Sequence, residues 1–554
     1  MSNRFLGVAA LAASLAWGSD ALACGGFFCQ SPQQPVDQAA ERILFSTHPS
    51  DGTVEMSVQV TYTGTASEFA WVLPVPQEPG IGTTVDDVFL NLSQATFPRW
   101  NLTYVTEGTC YQPPNLFPSK NFTGAMEDSA DGEGGVTVVA NGSVGPYDTT
   151  TLQATDSAEL LDWLQTNGYN IPDSVGTALA PYVADGSFFV ALKLKKGADT
   201  GDLVPVTLTW ASADLTIPLQ LTAIAAQPDL RLQPYVLGPA RAVPSNYLHV
   251  QVNELAVDWL QAGANYPAVI TDAANEAGGQ AFATDYAQPT ASLGALFWAP
   301  GKYNPHALDG LENAQDVMNA MVNGSIPISS GTVPFIKETL SAAINGTLDD
   351  VLAQNGVTEV QLFQCLGCYS GTNGWQIDGT ALANSLATVW VPAMQHAQDE
   401  LESSAWLTRL TSSISADEMT LDPQFVTNPD LPAVDNQHNA TLVTECGNRA
   451  HTFAKAPKKL VLSDGRELYL PDDVVNGTTP YADYAGEVAA TATDRIEQTG
   501  ASGPATLMVD NRAAIDAAVD ALNAQQGCAC DTRGGPVGLG GLVAGLLIAL
   551  RRRR

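Results

Sequence analysis

The residues best suited to chemistry are cysteines. In "QCLGCYS" two residues separate Cys365 from Cys368, a spacing that can lower a thiol pKa and hold a reversible disulfide. Further on, "ECGNRAH" supplies Cys446 and His451, and these four residues together have the ligand types of a Cys3His zinc site. No tryptophan precedes the Cys-x-x-Cys pair, as one often does in redox motifs. The other cysteines of the body are Cys24 and Cys29, in "CGGFFC", and Cys110; Cys528 and Cys530 stand near the end. Setting that last pair aside leaves an even number, which in a chain outside the cytoplasm reads as a set of structural disulfides. Gly25 and Gly26 permit a tight turn, so Cys24 with Cys29 is the expected local closure. Cys365 or Cys368 with Cys446 is the expected longer one.

Other signatures of catalysis are missing. The histidines (His48, His249, His306, His396, His438 and His451) are scattered, without His-Glu-x-x-His, so a zinc hydrolase of that type has no anchor. There is no Gly-x-Ser-x-Gly elbow and no phosphate-binding glycine loop. The acidic loop "DSADGEGG" at 128–135 lacks the spaced ligands and closing glutamate of a calcium loop. No cofactor is implied.

The elements that would position these residues fall into two halves. Val54, Met56, Val58, Val60 and Tyr62 alternate with Glu55, Ser57, Gln59 and Thr61, which places the apolar set on one face of a strand. Gly64 marks a turn, and "EFAWVLPVP" supplies a second strand at 68–73, ended by Pro74 and Pro76, as its hairpin partner. Further strands are expected at 188–195, 203–210 and 215–221. One helix interrupts them: Asp156 caps it, Glu159 is the reciprocal partner, and Leu160, Leu161 and Leu164 share a face.

Beyond residue 253 the pattern becomes helical. "NYPAVITDAANEAGG" ends at Gly278 and Gly279, and "PFIKETLSAAINGTLDDVLAQNG" ends at Gly356. "TALANSLATVWVPAMQHAQDELESSAWLTRL" is long and apolar on one side, with Pro392 as an expected break or kink. The fold class is α+β: an antiparallel β-rich half followed by a more helical half. The divisions are a signal peptide at 1–23, a β-rich domain at 24–250, a mainly helical domain at 251–480, a spacer at 481–527 and a tail at 528–554.

The two ends speak of location. "MSNRFLGVAALAASLAWGSDALAC" has Arg4, an apolar run and then Ala21-Leu22-Ala23 as a small-x-small cleavage site, so the mature chain begins at Cys24. Lipid attachment to Cys24 is a competing reading, although Ala21 and Leu22 fit it poorly. At the other end, 534–550 carries no charge and as a helix would reach roughly 25 Å, a short membrane span. Arg551, Arg552, Arg553 and Arg554 follow as a stop that stays on the cytoplasmic side. The formal net charge of −34 sets the surface against nucleic acid and anionic lipid.

A glycine-flanked Cys528-Ala529-Cys530, a glycine-rich apolar span and a terminal arginine cluster together resemble the MYXO-CTERM sorting tail of myxobacterial surface proteins. That resemblance implies export machinery and a sorting protease as partners, and a membrane-anchored precursor. The body resembles the domain-of-unknown-function 2330 family through "ACGGFFC", "QAAERILF", "EFAWVLPVP", "FFVALKL", "NEAGGQAFATDYA" and "LTRLTSSISADEMTLDP". Those motifs extend from Cys24 to about Pro423, and the family they point to consists of exported bacterial proteins without an assigned activity. The expectation is an exported, cell-surface-anchored protein that works as a non-catalytic structural, adhesive or binding module. The alternative is an exported hydrolase whose site is made of dispersed residues.

Overall fold

A computed structural model describes residues 37–63, 70–111, 140–167, 169, 175–195, 203–224, 226–341, 347–486, 488 and 490–527. Its largest sheet has ten strands in the order β23 (Thr506–Asp510), β22 (Thr493–Gln498), β13 (Leu248–Val252), β14 (Ala281–Pro289), β17 (Trp406–Ile414), β11 (Ala226–Gly238), β1 (Asp37–His48), β2 (Thr53–Thr63), β9 (Val206–Trp210) and β4 (Gly80–Thr83). Most neighbours are antiparallel, but β1 with β11 and β13 with β14 run parallel. Smaller sheets surround it. One has the order β10 (Leu215–Thr216), β18 (Gln424–Asn428), β12 (Arg241–Pro244). A second runs β3 (Ala70–Val75), β8 (Phe188–Leu194), β7 (Tyr147–Gln153), β6 (Ala140–Val144), and a third β21 (Glu467–Leu470), β20 (Lys458–Leu462), β19 (Gln437–Thr452), β5 (Arg99–Tyr111). A short pair, β15 (Leu340–Ser341) and β16 (Gln376–Ile377), completes the set. The fold is α+β, as the periodicities indicate.

Local expectations translate into local structure. Val54, Met56 and Val58 of β2 are buried as their alternation requires. The Ser157–Thr166 helix starts on Asp156, whose carboxylate accepts from the N–H groups of Ala158 and Glu159. The Tyr266–Glu276 helix stops ahead of Gly278 and Gly279, both at positive φ. Pro392 does not break its helix. The helical backbone runs on through a π-helical turn, Leu386–Trp390, directly before it, and that wider turn is the local irregularity at which the proline is accommodated.

Partnerships between elements differ from the expectation in three places. The strand at 68–73 is not the hairpin partner of β2: β2 lies between β1 and β9, and β3 pairs with β8 in another sheet. The cause is burial on both faces of β3, where Trp71, Leu73 and Val75 join one apolar cluster and Val72 joins another beneath the Ser157–Thr166 helix. The stretch 215–221 is not a full strand, because Pro218 ends it and a helical turn, Leu219–Thr222, follows. The third difference concerns domains. β13 straddles the expected boundary at 250, and the ten-stranded sheet draws strands from both sides of it.

Residues 481–527 are likewise structural. β22 and β23 extend the main sheet, and Tyr481, Ile496, Ile515, Val519 and Leu522 are buried in one cluster. The Ala/Thr/Asp/Gly composition conceals Ile515, Val519 and Leu522 at helical spacing, which is one apolar face of the Arg512–Gly527 helix. Trp100 stands in the same cluster, stacked on His438 with ring centroids 4.1 Å apart and set edge-on to Trp259 at 5.0 Å. A fourth cluster, on the helices between 314 and 403 and the Asp86–Thr96 helix, packs around Trp390, Phe89 and Tyr235. Among the described residues no helix is long and apolar enough to cross a membrane; the apolar run at 534–550 lies outside them.

Candidate functional site

The cysteines are distributed otherwise than the spacing indicates. Cys110 is bonded to Cys446, with Cα atoms 4.7 Å apart, and Cys365 is bonded to Cys368 at 5.4 Å. Pairing of Cys446 with Cys365 or Cys368 is therefore corrected: the partner is Cys110, brought alongside by the parallel register of β5 and β19. The Cys3His zinc alternative falls with it, since three of its ligands are tied up in two different disulfides. Among the described residues no group of three or more His, Cys, Asp or Glu could hold a metal ion. Cys24, Cys29, Cys528, Cys530, Arg551, Arg552, Arg553 and Arg554 lie outside the described residues, and so does the acidic loop 128–135.

The fold brings histidines together with groups that sequence spacing did not suggest. His249 on β13 lies directly across from Glu497 on β22 in the antiparallel register, and β14 runs on its other side. Its Nδ1 is 3.4 Å from Glu497 Oε2 and its Nε2 is 3.0 Å from Thr284 Oγ1. Arg241, on β12 above the sheet, reaches Thr284 Oγ1 at 3.2 Å and His249 Nε2 at 3.4 Å through Nη2. Gln251 donates to the other oxygen of Glu497 at 3.1 Å. Burial, together with the positive charge of Arg241, lowers the pKa of His249, so the ring is held neutral. The hydrogen bond from His249 in turn lowers that of Glu497. A neutral ring that gives its Nδ1 proton to Glu497 leaves Nε2 to accept from the Thr284 hydroxyl. Carboxylate, imidazole and hydroxyl then stand in the order used for nucleophile activation.

Next to Thr284 on β14, Asp285 forms a sealed ion pair with Arg409 of the neighbouring strand β17, Nε to Oδ2 3.0 Å, with both side chains out of solvent. Tyr266 donates to Asp285 Oδ1 at 2.6 Å, and the guanidinium lies over the rings of Phe97 and Tyr235. Burial raises the pKa of Asp285, and Arg409 works against that rise. The ion pair itself is shut off from solvent, with Phe97 forming the exposed outer layer over it, and it acts as scaffold.

A third group sits where the Val391–Ser403 helix meets the β1–β2 turn. His48 Nε2 is 3.2 Å from Glu400 Oε2, and His396 Nε2 is 2.9 Å from Glu55 Oε1. Glu55 raises the pKa of His396 through its hydrogen bond, and burial raises that of Glu400. A raised imidazole pKa contributes stability that is present below the unfolded value and lost as pH rises through the folded one. The helix is thus clasped to the turn more firmly in mild acid than in base. In the same layer Trp390 donates to the buried Asp87 at 2.7 Å, and burial pushes the Asp87 carboxyl up to about 6.

Sequence reasoning missed all three groups. Within the first, His249 and Glu497 are 248 positions apart, on strands whose neighbours no short-range pattern specifies.

Residues 19–293 match the model of a family described as an uncharacterized protein conserved in bacteria, DUF2330. The match supports the resemblance over five of its six motifs; "LTRLTSSISADEMTLDP" and the tail at 528–554 lie beyond it. No curated protein and no solved structure matches the chain.

Proposed function

From a chain whose residues 19–293 carry a domain of that bacterial family, we propose an exported protein of the cell envelope: a structural, adhesive or binding module, held first by its C-terminal span and then displayed after a sorting protease cuts near Cys528 or Cys530. The observation that carries the export is the bond between Cys110 and Cys446, 336 positions apart. Such a crosslink persists in an oxidising compartment and is kept reduced in the cytoplasm. The leader and the arginine-ended tail supply the same address at the two termini. The intact mass of surface-released protein is expected to lack residues 1–23 and 531–554. Recovery of those residues on the mature protein, or of free thiols at Cys110 and Cys446, overturns the reading.

A second reading, the exported hydrolase, is favoured by the Glu497–His249–Thr284 arrangement. In it Thr284 Oγ attacks an ester carbonyl, its proton passes to His249 Nε2, and Arg241 faces the oxyanion. The acyl-threonine that forms is then cleaved by water, His249 returning the proton first to the departing alkoxide. A fluorophosphonate probe should label the protein and fail to label the Thr284→Ala variant. An unlabelled parent removes this reading and leaves the first untouched.

A further inference from the structure

Strand β5 leaves one flank bare. It closes its sheet, with β19 on one side and no strand on the other among the described residues. From Thr103 to Thr109 every side chain is exposed, Tyr104 at 69% and Val105 at 43%. The opposite edge of the same sheet is treated differently. There Asn523, on the Arg512–Gly527 helix, accepts from the N–H of Tyr469 at 2.9 Å and donates to the carbonyl of Glu467 at 2.8 Å, so the outer backbone of β21 is capped. Edge strands are usually protected by lysine, proline or a cover. The stretch Asn101–Thr106 has none of the three among the described residues, and it is dense in residues that favour strands.

The charges of β5 name an occupant. Its only ionic side chains are Arg99 and Glu107, both exposed. We propose that β5 pairs antiparallel with β5 of a second copy of this chain, about a two-fold axis at Thr103. In that register Arg99 faces Glu107 of the copy, and Glu107 faces Arg99, so each contact closes an opposite-charge pair twice. Leu102 and Tyr104 meet across the axis on one face, and Asn101 meets Val105 on the other. Residues of even number share the face of the half-buried Leu102, so the apolar pair continues the core side of the sheet. The result is a continuous eight-stranded sheet made from two four-stranded ones. In a chain of net charge −34, an edge that is neutral and self-complementary stands out from a surface on which copies otherwise repel.

Sedimentation equilibrium of the purified protein tests this. The parent is expected to dimerise reversibly. Arg99→Glu and Glu107→Arg should each weaken the dimer by about tenfold, because each turns two attractive contacts into repulsive ones. The double variant, which restores opposite charges, should return to the parent value. Thr103→Lys, which sets two ammonium groups face to face on the axis, should be monomeric. All three positions are exposed, and circular dichroism matching the parent verifies that the variants fold. A parent that is monomeric at every concentration overturns the proposal and means that something else covers the edge, whether residues 112–139 or another protein. A dimer indifferent to both single reversals overturns it as well.

Discussion

Replacing Arg409 by Met is expected to destabilise the protein by about 3–5 kcal/mol, the range for removing one partner of a buried ion pair. Met fills much of the same volume, so the loss is chiefly electrostatic. Asp285 would then keep a charge in the centre of the sheet with the Tyr266 hydroxyl as its remaining hydrogen-bond donor. The midpoint of urea unfolding measures the effect. Asp285→Asn should be costly too, because it leaves the guanidinium unbalanced between Phe97 and Tyr235. Arg409→Met with Asp285→Leu should recover most of the loss, since the pair as a whole contributes little beyond what apolar packing offers. The sign with pH follows from the proton. Burial already raises the Asp285 pKa and Arg409 opposes it; without Arg409 the folded state binds that proton more tightly still. Stability from a raised carboxyl pKa is present at low pH and lost as pH rises through the folded value. The deficit of Arg409→Met should therefore shrink on acidification, and one that is constant across pH would mean that Asp285 is not its source.

Gly263→Ala should be at least as damaging, for a steric reason. Gly263 has φ +77°, in the left-handed region, and a Cβ there would lie 2.0 Å from Trp100 Cδ1. Trp100 cannot yield easily, held as it is by His438, Trp259 and Tyr266. Displacing a buried tryptophan costs about 3–5 kcal/mol, to which the left-handed backbone adds about 1–2 kcal/mol. Gly278 is the control. It has φ +86° and nothing within 4 Å of its would-be Cβ, so Gly278→Ala should cost the backbone share alone. Equal losses at the two sites would show that contact with Trp100 is not what fixes glycine at 263.

How far the sequence discloses this structure depends on the distance over which each feature is decided. The Asp156 cap, the stop at Gly278 and Gly279, and the buried alternation of Val54, Met56 and Val58 are settled within a few residues, and they are readable. Strand partners are settled by which faces find apolar neighbours. The chain at 70–75 is buried on both sides, which marks it as an inner layer but does not say whose. The cysteine types were evident and their pairing was not, because the approach of Cys110 to Cys446 depends on the register of two strands hundreds of positions apart. His249, Thr284 and Glu497 likewise have no shared spacing to detect. Composition misled at 481–527, where small residues between Ile515, Val519 and Leu522 hide an apolar helix face.

The strand order of the large sheet also bears on how the molecule comes into being. β1 waits for β11 nearly two hundred positions later, β14 waits for β17, and β13 is flanked only when β22 has been made. Contacts of such separation fold slowly, because long loops must close before any pairing is rewarded. A nascent chain cannot complete this sheet until synthesis has passed Asp510. Until then its middle strands lack their final neighbours, whereas the sheet of β3, β8, β7 and β6 is closed by residues no later than Leu194.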